Sequence, residues 1–233
     1  MIHIDHVAIG CTDLYEASDR MRKETGIGFY DGGWFPPVGI ANKIFPLGGQ
    51  TYMEIESIVN GPKVAAMAAK GGPGADFFKK AMQSGEDVFT GLCLGVDSME
   101  ELEDLAKRHK SIIPDPHLGT RIRSSGTQFL AYQTPPATDC WPKGLPNWYY
   151  FTDITLHPSG QPVEPYPGLH RPTGISYIEM GGTEKEMTEW LGVPASTMPF
   201  KFNGKTKGVY AIAVKTEDGP EVIIRRKNIV ELL

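Results

Sequence analysis

Two side chains suited to acid–base or metal chemistry fall on strand-like runs: His6 within Ile2–Gly10 and Glu54 within Thr51–Ile55. Alternate residues of a strand share a face. His6 therefore points with Ile4 and Ala8, and Asp5 with Val7 and Ile9. In the second run Tyr52, Glu54 and Glu56 share one face, and Met53 and Ile55 the other. Met53 and Ile55 suit a core under a helix, which turns Glu54 into the hollow of the sheet. A carboxylate there must be paired, protonated or bound to a metal, because an isolated buried charge is costly. His6 is its expected partner.

These residues must be positioned by the elements around them. Three strands are each followed by a cap pair and an amphipathic helix: Ile2–Gly10 with Asp13 and Glu16, Gly91–Val96 with Ser98 and Glu101, and Ile175–Met180 with Thr183 and Glu186. Each pair has the spacing of a capping box. The helical stripes run through Leu14, Ala17 and Met21, through Leu102, Leu105 and Ala106, and through Met187, Trp190 and Leu191. Gly26 and Gly192 stand where left-handed C-caps are favoured. Short strands follow each helix: Ile27–Tyr30, Ala41–Leu47 and Thr51–Ile55; then Thr120–Arg123, Gln128–Gln133 and Trp148–Ile154; then Pro199–Phe202, Val209–Val214 and Glu221–Arg225. The order βαβββ thus recurs in 1–58, 86–155 and 173–233, and the first two units make one domain, 1–155. Residues 61–85 form a helical connector, with helices over Pro62–Lys70 and Ala75–Gln83, and 156–172 a proline-rich one. The loop Pro135–Asn147 is long enough for a site wall.

Composition narrows the function. The chain has 233 residues, 40% hydrophobic and 22% charged, with a formal charge of -5, which is ordinary globular material. Its basic runs, Lys107–Lys110 and Arg225–Lys227, are too short for a phosphate track, so nucleic acid is not an expected partner. Cys11, Cys93 and Cys140 form no Cys-x-x-Cys, which fits a reducing cytoplasm, and no apolar run suits a membrane span.

The runs Ile4–Leu14, Gly39–Leu47 and Tyr52–Ile55, with weaker likeness at Pro146–Asp153 and at His170, Pro172 and Gly174, resemble the vicinal oxygen chelate superfamily, in its glyoxalase-like branch. That resemblance implies an α+β fold in which βαβββ modules form a U-shaped, half-open mixed β-barrel with helices outside. It also implies a divalent metal ion (Zn, Mn, Fe or Ni), with His6 and Glu54 as ligands. The second unit has no His in Gly91–Val96, so Asp153 is the expected third ligand, with His170 behind it. In the third unit Tyr177 and Ile223 replace the His and Glu.

The resulting expectation is a metal-dependent isomerase, lyase or hydrolase acting on a small oxygen-bearing substrate through an enolate-like intermediate. Glu54 or Asp153 would be the base, and Asn42, Tyr52, Trp148, Tyr149 and Phe151 would line the substrate site. Two other readings stand beside it: a metal-free protein that sequesters a hydrophobic ligand, and an extradiol-type dioxygenase. His3, His109 and His117 read as surface or edge positions and His157 as a turn. The third unit is expected to form a contact in a homodimer.

Overall fold

The computed structural model describes residues 1–36, 39–69, 73–111, 118–123, 126–134, 140–217 and 219–233. His117 and residues 135–139 of the long loop lie outside them.

The cap residues start their helices as expected. Asp13 accepts the N–H groups of Tyr15 and Glu16 at the head of α1 (Leu14–Thr25), which ends on Gly26 at φ 67°. Ser98 accepts the Glu101 N–H at α4 (Met99–His109). Glu101 does not close that box; its carboxylate takes the Asp97 N–H and the Met1 amine instead. At α5 (Glu184–Leu191) Thr183 and Glu186 complete both bonds of a capping box. Thr183→Ala is expected to cost about 1 kcal/mol, read as a fall of roughly 2–4 °C in a thermal melt.

The first unit adds strands β1 (His3–Gly10), β2 (Tyr30–Phe35), β3 (Ile40–Gly48) and β4 (Thr51–Ile58). The second adds β5 (Val88–Gly95), β6 (Leu118–Arg123), β7 (Gly126–Gln133) and β8 (Asn147–Phe151). Between them lie α2 (Gly61–Ala68) and α3 (Pro73–Met82). β2 begins where the expected run ends, because Ile27 instead bridges His170 and Tyr30 is the first residue opposite β3.

In each unit the first strand runs parallel to the last, β1 to β4 and β5 to β8. The two halves join where β1 pairs antiparallel with β5. The resulting sheet has the order β1-β4-β3-β2-β6-β7-β8-β5 and curls until β2 and β6 meet at Trp34↔Ile122. This is the curled, helix-backed half-barrel that the family resemblance implies.

The third unit keeps the element order but not the strand order. Strands β9 (Pro172–Gly181), β10 (Phe200–Phe202), β11 (Gly208–Thr216) and β12 (Val222–Arg225) form a separate sheet, β10-β9-β11-β12. Here the first strand lies between the second and the third, and the fourth is at the edge. A final strand, β13 (Lys227–Asn228), returns to pair with β5.

The apolar face of this second sheet is used within its own chain. Ile178, Met180, Ile212 and Val214 share one core with Val7, Ile9, Met53 and Ile55 of the barrel and with Leu14, Met21, Leu102 and Leu105 of its helices. Burying so much apolar surface, at roughly 25 cal/mol per Å², ties the third unit to the barrel. No helix among the described residues is long and apolar enough to cross a membrane.

Candidate functional site

His6 and Glu54 converge on the inner face of the barrel. β1 and β4 pair in the register His6↔Tyr52 and Ala8↔Glu54, so both side chains rise from neighbouring strands on the same side. His6 Nε2 lies 3.4 Å from Glu54 Oε1. The other Glu54 oxygen accepts the Asn42 side-chain N–H at 2.9 Å. Tyr52 stacks on the imidazole at 4.6 Å between centroids, and Tyr149 meets it edge-on at 4.9 Å. His6 is 1% exposed and the Glu54 side chain 11%, so Glu54 is the more accessible of the pair.

Behind His6 stands Asp5. Strict alternation would send its carboxylate to the opposite face, but the β1–β5 register shifts between Ile4 and His6, leaving Asp5 unpaired in the ladder. Such a bulge re-aims a side chain. Asp5 Oδ1 takes a hydrogen bond from His6 Nδ1, and Oδ2 one of 3.2 Å from His157 Nε2.

Electrostatics follow this order. Burial works against charge on His6, but Glu54 and Asp5 outweigh it and raise its proton affinity. Burial likewise works against ionised Asp5, and the hydrogen bonds from His157 and His6 reverse it, so its pKa falls. Glu56, two residues along from Glu54, is pushed well up by burial and then by the charge of Glu54. Burial drives the Tyr52 phenol and the Cys93 thiol up as well, so neither is an anionic nucleophile at neutral pH.

Residues 4–164 match the family model described as a glyoxalase-like domain. The chain belongs to that family. A hypothetical protein from Staphylococcus aureus shares the fold of this glyoxalase-like protein at a TM-score of 0.66, with 13% identity over 94% of this chain and 92% of that one. Methylmalonyl-CoA epimerases from Streptomyces coelicolor and Mycobacterium tuberculosis superpose at TM-scores of 0.44 and 0.41. Each is 13% identical, covering 65% and 64% of this chain and 98% and 86% of theirs. Among curated proteins none matches the sequence.

Within the glyoxalase-like barrel the structure gathers His6, Glu54, Asn42, Tyr52 and Tyr149, with Phe151 next to them against the His157 ring at 4.5 Å. It separates the rest. Trp148 points outward into the core shared with α4 and the second sheet, because its neighbour Tyr149 takes the inward phase. Asp153 is exposed and caps the turn Ile154–Leu156 through the Thr155 N–H and hydroxyl. The strand ends at Phe151, so Asp153 is not carried to Glu54. His170 packs over Gly26, away from the barrel interior. His109 is half-buried, its ring stacked on Trp190 at 3.7 Å.

Three contributors were not named as site residues from the sequence: Asp5, Glu56 and His157. The shared face of Tyr52, Glu54 and Glu56 was the available signal for Glu56. A cavity of about 200 Å³ reaches Asp5 and His157 between Tyr149, Phe151 and Asp97.

Several observations bear on whether a divalent ion fits. Two ligands each about 2.0–2.2 Å from one ion lie roughly 3–3.4 Å apart, which is the separation of His6 Nε2 and Glu54 Oε1. The Asp5 carboxylate on Nδ1 is the usual support for a metal-binding imidazole. Among the described residues no donor reaches the buried atoms Asn42 Oδ1 and Glu56 Oε2. His6 and Glu54 therefore suit a hard or borderline cation. No group of three His, Cys, Asp or Glu side chains converges among the described residues.

The unpartnered Glu56 Oε2 makes a separate prediction. A carboxyl whose pKa is raised on folding costs stability as pH climbs above its unfolded value of roughly 4.3. In metal-stripped protein at pH 8, Glu56→Gln is expected to add about 1–3 kcal/mol. Urea titrations from pH 4 to 8 should show the wild-type decline flattened in the variant.

Proposed function

We propose that this chain is a metal-assisted proton-transfer enzyme, of the isomerase or lyase type, acting on a small molecule whose reacting carbon adjoins a carbonyl or carboxylate. The observation that supports it is the seating of Glu54: a nearly buried carboxylate oriented by the Asn42 amide on one oxygen and facing His6 with the other. His6 and Glu54 would hold the ion, and when bound it supplies Lewis-acid stabilisation of enolate-like charge. Asn42 directs Glu54 Oε2, whose remaining lone pair is positioned to take a proton from the substrate carbon and return it. Tyr52 and Tyr149 fix the imidazole plane and keep water from it. Asp153 has no part in this scheme, because its carboxylate is committed to Thr155.

Two measurements test the reading. Protein purified without chelator is expected to retain a stoichiometric divalent metal. In D₂O it should catalyse deuterium incorporation beside the carbonyl of a panel of 2-oxo acids, 2-hydroxy ketones and acyl thioesters. Metal-free protein that exchanges none of them, yet binds aromatic ligands against Tyr52 and Tyr149, would make it a sequestering protein instead.

A further inference from the structure

We propose that His157, entering from the proline-rich connector outside both barrel modules, is a positioning residue that clamps Asp5 and thereby sets the tautomer and orientation of His6. Only the catalytic consequence rests on the function proposed above; the clamp itself rests on geometry.

His157 is 152 residues from Asp5 in sequence, yet its Nε2 lies 3.2 Å from Asp5 Oδ2 and the ring is nearly fully buried. The opposite nitrogen fixes its tautomer. Nδ1 accepts the Ser159 N–H at 3.2 Å and lies 2.8 Å from the Ser159 hydroxyl. A backbone N–H can only donate, so the Nδ1 lone pair faces the turn and the ring hydrogen sits on Nε2, aimed at Asp5.

The ring is also held in place from several sides. His157 caps the turn Pro158–Gly160, whose first residue has a fixed φ. Tyr30 anchors that turn by donating its hydroxyl to the Pro158 carbonyl at 2.7 Å. Phe151 and Tyr52 pack edge-on against the imidazole at 4.5 and 5.5 Å.

The consequence passes through Asp5. Each Asp5 oxygen has one imidazole partner. With His157 on Oδ2, Oδ1 is left to face His6 Nδ1. That keeps a hydrogen on Nδ1 and turns Nε2 towards Glu54. A supporting partner of this kind typically changes metal affinity by 10–100-fold when removed.

The test is NMR of protein labelled with ¹⁵N-histidine, which reads ring tautomers without any substrate. Wild-type His157 is expected to show a hydrogen on Nε2 and a bare Nδ1, and His6 a downfield, slowly exchanging Nδ1–H. In His157→Ala the His6 Nδ1–H resonance should be lost. In His157→Gln, whose side-chain amide can donate to Asp5, it should return.

A His6 resonance unchanged in His157→Ala overturns the proposal. So does its loss in both variants while the β9–β12 sheet keeps its amide spectrum, because that would make His157 a packing residue only. If His157→Ala does not fold, the wild-type spectrum still decides, since a His157 hydrogen on Nδ1 contradicts the clamp. Zn²⁺ titration separates the two proposals: a wild-type protein that binds no metal sinks the functional reading and leaves the tautomer result standing.

Discussion

Glu54→Gln is expected to lower turnover by about 10²–10⁴-fold, the usual contribution of a positioned acid–base group, while leaving the protein folded. The substitution keeps the size of the side chain and an oxygen to receive the Asn42 N–H. It removes the negative charge facing His6 Nε2 and with it the basicity needed to accept a proton from carbon. Substrate affinity should change less than turnover, because the aromatic walls at Tyr52 and Tyr149 are untouched. The deuterium-incorporation assay measures the rate, and metal analysis of the same preparation shows whether an ion was lost with it. A Glu54→Gln variant that exchanges as fast as wild type would remove Glu54 from the chemistry.

That prediction was within reach of the sequence because it depends on period-two alternation and on the pairing of first and fourth strands. Both are local or modular properties. Met53 and Ile55 needed a core, so Glu54 had to face the other way, and the parallel register brought it to His6. The same logic, applied one step further, would have removed Trp148 from the substrate wall, since Tyr149 and Phe151 hold the inward phase of β8. Asp153 failed for a different reason. Its Thr155 neighbour offers a turn of its own, and local side-chain bonds of this kind compete with strand continuation.

Asp5 and His157 were illegible for a deeper reason. The bulge that turns Asp5 inward is set by how β1 meets β5, with Ile4 opposite Leu94 and His6 opposite Cys93. The approach of His157 depends on where a proline-rich segment lies once the barrel has closed. The third unit shows the same limit. Its strand, helix and turn signals were correct, yet element order does not specify which strands become neighbours, and its sheet is ordered 2-1-3-4 rather than 1-4-3-2.

Asp5→Ala should cost about 3–5 kcal/mol, the range for removing one partner of a buried ion pair, and lower the melting temperature by at least ~6 °C. Two imidazoles lose their shared acceptor, and both rings are nearly fully buried. The pH dependence has a definite sign. Asp5 has a lowered pKa, so its contribution is present above its unfolded value, roughly 3.9, and is lost as pH falls through the folded one. His6 has a raised pKa, so its contribution is complete below roughly 6.5 and is lost as pH rises through the folded value. In metal-stripped protein the stability gap between wild type and Asp5→Ala should therefore be widest between about pH 4 and 6.5 and narrow on both sides. A bound cation would take over the role of the His6 proton, so metal should extend the alkaline limb in wild type. Equilibrium unfolding across pH 3–9, with and without Zn²⁺, measures both limbs. A gap that is flat with pH would mean that the Asp5–His6 contact carries no charge and that His6 is held by packing between Tyr52 and Tyr149 alone.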